Sequence, residues 1–298
     1  MTMIAIEHLT RDYGEGRGIF DLSFEVKKGE VFGYLGPNGA GKTTTIRHLM
    51  GFLKSKRGTC AIDGLDCFKQ AAEIKEFLGY LPGEIAFFDS MTGVEFLNFM
   101  AEMRGMKDRA KMEKLIRFFD LNPKGKIRKM SKGTKQKLGL VSAFMHDPGV
   151  LILDEPTSGL DPLMQNRFIR LIQNEKKKGT TILMSSHSFE EVERTCDRVG
   201  IIRAGKLAAL DSVASLKAER HKIYQVSFAT AKEAGDFAAR CTGTRLLREH
   251  PQLVEVRVAG SMDSFLKMLT GYHVMALDTV SQDLEDIFMQ YYGGKHHA

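Results

Sequence analysis

The sequence has little proline, little cysteine and no long apolar run. Only 7 of its 298 residues are proline, while 43% are hydrophobic and 27% are charged, a composition that argues against disordered, collagen-like and low-complexity chains. No apolar stretch approaches the roughly 20 residues that cross a bilayer, and the first residues lack the basic and apolar segments of a secretory signal. We therefore expect a globular protein of the cytosol that reaches a membrane only through a partner.

The few cysteines form neither a metal motif nor a disulfide framework. They are spread along the chain without a CxxC pair and without a histidine at the spacing of a metal-binding motif. Thiols of cytosolic proteins stay reduced. We expect free structural thiols at Cys60, Cys67, Cys196 and Cys241.

The excess of basic residues is small and does not by itself identify a ligand. The formal net charge is +6, and a basic run between Lys124 and Lys137 contains no acidic residue. A single-stranded nucleic-acid site would interleave such residues with stacking aromatics, which this run lacks. We interpret the run as a solvated face beside a bound phosphate ligand, with anionic lipid headgroups as a second candidate, and we expect no nucleic-acid partner.

The first half of the chain has the pattern of an α/β domain. Alternating apolar residues predict strands at Met3–Glu7 and Leu22–Val26, and a continuous apolar strand at Glu30–Leu35 runs into a glycine-rich turn. Helical spacing follows at Thr43–Met50, which completes a strand, loop and helix unit. After a helical insertion the sheet resumes with short buried strands, predicted at Val150–Leu153, Thr181–Ser185 and Val199–Ile202.

The predicted insertion, at about residues 84–147, has mostly helical spacing. It contains two apolar stripes on two helices, and we interpret both stripes as core packing. The first stripe consists of Phe96, Leu97, Phe99, Met100 and Met103. The second consists of Met112, Leu115, Ile116 and Phe119.

A change of composition near residue 211 indicates two domains, which we place at 1–217 and 218–298. The predicted elements of the second domain follow the order βαββαβα, which indicates a small α+β module of ferredoxin-like type. Its strands are predicted around Tyr224–Phe228, Arg245–Arg248, Val254–Val258 and His273–Leu277. Its helices are predicted at Ala231–Cys241, Ser264–Leu269 and Asp283–Tyr292.

The turn after the third strand matches the phosphate-binding pattern GxxxxGK[ST] at every fixed position. Its glycines let backbone N–H groups converge on an anion, and the helix that follows directs its positive N-terminal end at the phosphates. Lys42 can reach the β and γ phosphates, and the hydroxyl of Thr43 can ligate Mg²⁺. The predicted phosphate-binding residues are Gly36, Pro37, Asn38, Gly39, Ala40, Gly41, Lys42, Thr43 and Thr44.

A pair of acids follows the strand at Val150–Leu153. Asp154 and Glu155 stand at the carboxyl end of a buried strand, which is where α/β proteins place their ligand sites. Asp154 is expected to hold Mg²⁺, and Glu155 to polarise a water that attacks the γ phosphate. Such a pair is weak support alone, but together with the phosphate loop it strongly indicates nucleotide hydrolysis.

These motifs resemble those of the nucleotide-binding subunit of an ABC transporter, over residues 3 to about 217. The segment from Met130 to Gln136 is similar to the family signature LSGGQ. The resemblance implies that Ser131 and Gly133 reach across a dimer to the γ phosphate on the other subunit. Lys132 departs from the pattern, because the family has a second glycine there.

Three further residues match motifs of the same family. The resemblance implies that Tyr13 lies against adenine, that Asp161 belongs to the D-loop, and that His187 is the switch histidine. The fold it implies is α/β: a P-loop NTPase cassette whose mixed sheet is joined by a β subdomain and a helical subdomain, followed here by the small C-terminal domain.

The family's Q-loop is altered in this chain. A glutamine is expected after the strand that ends at Pro82, but Gly83 and Glu84 stand there instead. Glu84 is a candidate metal ligand in place of the glutamine. The alternative is that Thr43 and Asp154 hold the metal alone.

The resemblance implies an ATPase that uses ATP and Mg²⁺, with Lys42, Glu155 and His187 as catalytic residues. Its implied partners are a second cassette, identical or different, and a membrane permease on whose cytoplasmic face the chain would sit. The family docks its permease on the helical region that carries Phe87, Phe88, Asp89, Met91 and Phe96.

Within the family, the chain resembles subunits of exporters that have separate permeases. The shared features are the LSKG form of the signature, the C-terminal extension and the ending Asp283–Phe288. Such exporters expel antibiotics, peptides, ions or lipids, and the substrate is chosen in the permease. The alternative is a non-transport ABC ATPase that acts on nucleic acid or ribosomes. Those proteins have paired cassettes or a long coiled coil, whereas this chain has one cassette and no sustained heptads.

Overall fold

The computed structural model describes residues 1–218, 222–247, 249–258 and 262–280. The chain divides into two compact units, Met1–Ala214 and Ser215–Ala298. The predicted boundary after residue 217 lies close to this division and stays a prediction. Within the described residues, no helix is both long enough and apolar enough to span a bilayer.

The first unit begins with a strand pair and then alternates strands with helices. Its strands are β1 (Thr2–Gly14), β2 (Arg17–Lys27), β3 (Val31–Leu35), β4 (Arg57–Ile62), β5 (Leu65–Asp66), β6 (Leu78–Leu81), β7 (Val150–Asp154), β8 (Thr181–Ser186), β9 (Arg198–Arg203) and β10 (Lys206–Ser212). Its helices are α1 (Lys42–Leu49), α2 (Ala71–Phe77), α3 (Gly93–Met103), α4 (Ala110–Phe118), α5 (Lys132–Phe144), α6 (Pro162–Lys177) and α7 (Phe189–Thr195). A short 3-10 helix spans Ile127–Lys129, and α8 (Val213–Ala218) crosses the division between the units.

The larger sheet of the first unit has six strands in the order β10-β9-β3-β8-β7-β6. Neighbouring strands from β9 to β6 are parallel, and β10 pairs with β9 in the antiparallel direction. Strands β3, β7 and β8 are buried along their whole length, as expected of parallel strands that are covered on both faces. Leu35 pairs with Ser186, and Asp154 pairs with Ser185. The loops that follow these three strands therefore meet at one edge of the sheet.

The smaller sheet is antiparallel, in the order β2-β1-β4-β5. Leu22, Phe24 and Val26 alternate with more exposed residues along β2 and are buried, the pattern of a strand that covers a core with one face. The ring of Phe24 stacks on that of Phe32 in β3, with 5.2 Å between centroids. The small sheet thus packs on the large one through β2.

Helices α3, α4, α5 and the 3-10 helix lie within residues 84–147, the range predicted for the helical insertion. Helix α3 begins with a reciprocal cap in which the Thr92 hydroxyl accepts from the Glu95 amide at 3.2 Å and the Glu95 carboxylate accepts from the Thr92 amide at 2.6 Å. The Thr92 amide and the Thr92 hydroxyl, which donates at 3.0 Å, both hydrogen-bond the Glu95 carboxylate and hold the pKa of Glu95 below its usual range.

The core interpretation of the first apolar stripe is only partly right. Phe96 and Leu97 are buried, but Met103 is 71% exposed. Phe99, Met100 and Met103 line an open groove instead, because helical spacing shows that residues share a face and not what covers that face. In the second stripe, burial is observed for Met112, Leu115 and Phe119.

The second unit is a four-stranded antiparallel sheet in the order β12-β13-β11-β14. Its core includes Val226, Phe228, Phe237 and Phe265. The element order βαββαβ is that of a ferredoxin-like module. The predicted last helix, Asp283–Tyr292, lies outside the described residues. The elements are β11 (Lys222–Phe228), α9 (Ala231–Arg240), β12 (Thr244–Leu247), β13 (His250–Val258), α10 (Met262–Leu269) and β14 (Val274–Val280).

Candidate active site

The phosphate loop connects β3 to α1 as the sequence predicts. Gly39 and Gly41 have φ values of 78° and 113°, which only glycine adopts without strain. A Cβ at Gly36 would lie 2.4 Å from the carbonyl oxygen of Ile202, so this glycine also permits close packing against β9. The loop therefore has the conformation that its glycines allow, with Pro37, Asn38, Gly39 and Thr43 exposed and Ala40 buried.

Lys42 lies inside the phosphate loop and is only 5% exposed. Its ammonium donates hydrogen bonds to the carbonyl oxygens of Gly36 at 2.5 Å and Pro37 at 3.3 Å. The same nitrogen lies 3.0 Å from Oε1 of Glu155. The cation is thus held at the centre of the loop, where backbone N–H groups and a helix N-terminus already favour an anion.

Asp154 ends β7 as a fully buried carboxylate. Its Oδ2 accepts a hydrogen bond from the Thr43 hydroxyl at 2.9 Å, and its Oδ1 accepts one from the Ser185 hydroxyl at 2.5 Å. A buried carboxylate needs a compensating partner, and hydroxyl and carboxylate oxygens are the ligands that Mg²⁺ prefers. Among the described residues, no group of three or more His, Cys, Asp or Glu side chains could hold a metal. Thr43 and Asp154 would supply few protein ligands to a magnesium ion, which usually completes its coordination with waters and phosphate oxygens.

Glu155 follows Asp154 with a φ of 50°, a conformation that costs a non-glycine residue on the order of 1 kcal/mol. Hydrogen bonds on both sides hold it. Its amide donates to the Ser185 hydroxyl at 3.0 Å, and its carbonyl accepts from the side-chain amide of Gln136 at 3.3 Å. This clamp directs the Glu155 side chain to Lys42 on one side and to His187 on the other, where Oε2 lies 2.6 Å from Nδ1.

These residues border a cavity of about 450 Å³ at the edge of the large sheet. Its walls include Asn38 and Thr43 from the phosphate loop, Asp154 and Glu155 from β7, and His187 from the turn after β8. The structure therefore brings together the phosphate loop, the acidic pair and His187, although the phosphate loop precedes the other two by more than a hundred residues in the sequence.

The altered Q-loop also lines this cavity through Gly83 and Glu84. A Cβ at Gly83 would lie 3.1 Å from Oδ2 of Asp154, so a side chain there would press on the buried carboxylate. Glu84 is exposed. Tyr80, four residues before Glu84, has its pKa raised to about 12 by burial and by the charge of Asp154. Glu84 is thus near enough to act on the site, and its role as a metal ligand stays a prediction.

The signature segment begins helix α5. The Ser131 hydroxyl accepts a hydrogen bond from the Thr134 amide at 3.2 Å and caps the helix. The aliphatic part of the Lys132 side chain packs against Gly159. A Cβ built at Gly159 would lie only 3.0 Å from Lys132 Cγ. A Cβ at Gly133 would be 2.7 Å from the carbonyl oxygen of Gly159. The signature therefore contacts the D-loop of its own chain through these two glycines.

Tyr13 and Asp161, like Ser131 and Gly133, do not line the cavity. Tyr13 ends β1 and is 52% exposed, with the Arg11 guanidinium carbon 5.2 Å from its ring centroid. The carboxylate of Asp161 accepts from the Met164 amide at 3.0 Å and caps α6. Their predicted nucleotide contacts stay predictions.

Three residues of the site were missed from the sequence. Ser185 and Gln136 hold the acidic pair, and Glu191 lies buried behind His187. Ser185 is a polar residue near the end of an apolar strand, and Gln136 is the last residue of the signature segment. Both positions gave a weak sequence indication of a role in the site. Glu191 resembles any other glutamate of a charged helix.

Comparison with known proteins gives a consistent picture. Residues 19–158 match the family model described as ABC transporter. The bacitracin transport ATP-binding protein BcrA of Bacillus licheniformis is 33% identical over 301 residues, which cover 98% of each chain. The linearmycin resistance ATP-binding protein LnrL of Bacillus subtilis (strain 168) is 31% identical over 98% of each chain. A solved structure of an ATP-binding subunit of an ABC transporter is 31% identical, with a TM-score of 0.66 over 73% of this chain and 93% of that one.

Proposed function

The chain belongs to the family of ABC transporter ATP-binding proteins, and from that membership we propose that it binds ATP with Mg²⁺ and hydrolyses it to power export through a separate permease. The cassettes of this family are ATPases coupled to transport. The observation that carries the proposal for the individual residues is that Asp154, Glu155 and His187 border one cavity. The buried ammonium of Lys42 lies 3.0 Å from the Glu155 carboxylate.

Nucleotide binding is assigned to the phosphate loop. Its N–H groups and the start of α1 would surround the β and γ phosphates, with Lys42 as the buried cation beside them. Thr43 and Asp154 would hold Mg²⁺, because their oxygens already lie 2.9 Å apart and the Asp154 carboxylate is buried beside hydroxyl donors. The metal supplies positive charge that offsets the charge developing on the phosphates.

Hydrolysis is assigned to Glu155. Its carboxylate is positioned to accept a proton from the attacking water, while its clamped backbone keeps it from turning away. The 2.6 Å contact with His187 fixes the orientation of Oε2. Both side chains border the cavity in which the γ phosphate would end.

A second cassette would complete the site. The exposed Ser131 hydroxyl caps the N-terminus of α5, a position that favours an anion. Ser131 and Gly133 do not line the cavity of their own chain, although Lys132 between them does. In a dimer, Ser131 and Gly133 would face the γ phosphate of the partner subunit, with Asp161 close by in the D-loop and Tyr13 against adenine. The second cassette would be an identical chain or a different one.

The permease would dock on a groove of about 710 Å³ beside the helical insertion. Its apolar lining comes from Phe52, Phe99, Met100 and Met103, and Phe52 and Met103 are 53% and 71% exposed. Exposed apolar area of this kind is typical of an interaction surface. The predicted docking region adjoins it, since the ring of Phe88 contacts that of Phe99 at 5.7 Å between centroids. The chain would then lie at the cytoplasmic face of the membrane.

The substrate class follows from the relatives. One of them acts in bacitracin transport and another in linearmycin resistance, so we propose that this chain powers the export of an antibiotic or a similar peptide or lipid-like compound. The permease would choose among these compounds. The second unit, outside the cavity residues, would regulate the cassette.

The test measures Mg²⁺-dependent ATP turnover and ATP binding by the purified chain. Lys42→Ala is expected to weaken ATP binding, because it removes the only loop cation. Glu155→Gln is expected to keep ATP binding but lose turnover by a factor of about a hundred or more, since it keeps the shape and removes the base. Lys69→Ala, at an exposed lysine outside the cavity, is the control. Unchanged turnover in Glu155→Gln would contradict the assignment.

A further inference from the structure

Glu191 is a buried acid directly behind the switch histidine. It lies on α7 and is 7% exposed. Its Oε2 accepts a hydrogen bond from the Ser186 hydroxyl at 2.5 Å, while its Oε1 is buried without a hydrogen-bond partner among the described residues. Carboxyl groups are rarely buried in this way unless they are paired. The burial of Glu191 therefore indicates a specific structural role.

The contacts of Glu191 hold the turn that carries His187. Ser186 and Ser188 flank His187, and the Ser186 hydroxyl also accepts from the Ser188 amide at 2.9 Å. Thr157, two residues beyond Glu155, lines the same cavity as His187 and Glu191. One buried carboxyl group thus anchors the turn of the histidine and lies beside the loop of the catalytic glutamate.

We propose that Glu191 is a positioning residue for ATP hydrolysis, which anchors the His187 turn through Ser186 and so maintains the contact between the His187 and Glu155 side chains. This role rests on the proposed function of the cassette. It differs from the roles of the cavity residues, because Glu191 touches neither the phosphate loop nor the metal-binding pair in any contact that the structure records.

The surroundings favour the neutral form of this carboxyl group. Burial raises the pKa of Glu191 to about 7, the Glu155 charge adds to the rise, and the hydrogen bond from Ser186 opposes it. The groups that face it are Glu155 from the loop after β7 and His187 from the turn after β8, with Cys196 at the end of its own helix. As the pH rises through this value, a second negative charge develops near Glu155 in a buried site, and repulsion between the two carboxylates displaces Glu155 from His187.

The experiment compares kcat and KM for ATP in the full chain and in three variants, Glu191→Ala, Glu191→Gln and the control Glu190→Gln. Glu190 is exposed and paired with Arg194 at 3.2 Å. At neutral pH we expect Glu191→Ala to lower kcat about tenfold or more with KM nearly unchanged, because the catalytic pair is displaced while the phosphate loop is intact. Glu191→Gln, which mimics the neutral acid, is expected to restore most of kcat. A wild-type kcat in a folded Glu191→Ala chain, or equal losses in both variants, would overturn the proposal.

The pH dependence of kcat supplies a second readout that does not need the alanine variant to fold. The wild-type chain is expected to lose kcat as Glu191 ionises above a pH of about 7, whereas Glu191→Gln should have a flatter alkaline side. An identical alkaline fall in the two proteins would refute this role of Glu191. A wild-type chain without ATPase activity would refute the proposed function itself, so the two failures are distinguishable.

Discussion

Replacement of Ser185 should show how far ATP turnover depends on a residue that only holds the acidic pair in place. Its side chain is fully buried. The hydroxyl donates to Asp154 at 2.5 Å and accepts from the Glu155 amide at 3.0 Å. Ser185→Ala would therefore leave one buried carboxylate oxygen and one backbone N–H without this partner.

The expected cost can be worked out from these two hydrogen bonds. A buried polar group that loses its partner costs about 1–3 kcal/mol, so Ser185→Ala should lower the free energy of unfolding by about 2–6 kcal/mol in total. The strained conformation of Glu155 also loses one of its two restraints. Turnover should then fall even at temperatures where the variant is folded, since the Glu155 carboxylate is no longer fixed.

The assay is urea unfolding followed by circular dichroism, paired with ATP turnover at a temperature where both proteins are folded. Ser90→Ala, at an exposed serine of the insertion, is the matched control and should change the free energy of unfolding by less than about 0.5 kcal/mol. A loss below about 1 kcal/mol in Ser185→Ala, with normal turnover, would show that the hydroxyl does not hold the acidic pair.

Two further predictions concern the altered Q-loop and the second unit. Glu84→Ala should raise the Mg²⁺ concentration needed for half-maximal ATP turnover if Glu84 replaces the missing glutamine, because a carboxylate near the site favours a divalent cation; an unchanged Mg²⁺ titration would leave Thr43 and Asp154 as the whole protein contribution. Truncation after about residue 220 should keep ATP binding, measured by calorimetry, because every cavity residue lies before that point. It should alter dimerisation or turnover, and complete unfolding of the truncated chain would show that the boundary is misplaced.

Local motifs made the centre of the site predictable. The phosphate loop needs glycines, Lys42 and Thr43 at fixed spacing, and the acidic pair needs only an apolar strand before it. Parallel pairing of β3 with β8 and of β8 with β7 then brings the phosphate loop and the acidic pair together. The ferredoxin-like order of the second unit was predictable for the same reason, since strand alternation is a local signal.

The parts that depend on distant contacts were not predictable. Strand β4 pairs with β1 through Ile4 and Ile62, but its short apolar pattern gives no sign of that partner. Met103 has the spacing of a core residue and lies in an open groove, because periodicity does not reveal what covers a face. Glu191 and Ser185 are common polar residues whose importance arises only when β7 and β8 are placed side by side.

The contact between the signature and the D-loop has a consequence for how two nucleotides would be used. Gln136 of α5 donates to the carbonyl oxygens of Glu155 and Pro156 at 3.3 and 2.8 Å, and Gly133 lies against Gly159. In a dimer, the start of α5 would read the γ phosphate of one site while Glu155 works in the other. If the first ATP displaces α5, the displacement would reach Glu155, the base that acts on the second ATP, through these direct contacts. Binding of ATP at the two sites should therefore be cooperative. The rate of ATP turnover should then rise with ATP concentration more steeply than it would for a single independent site.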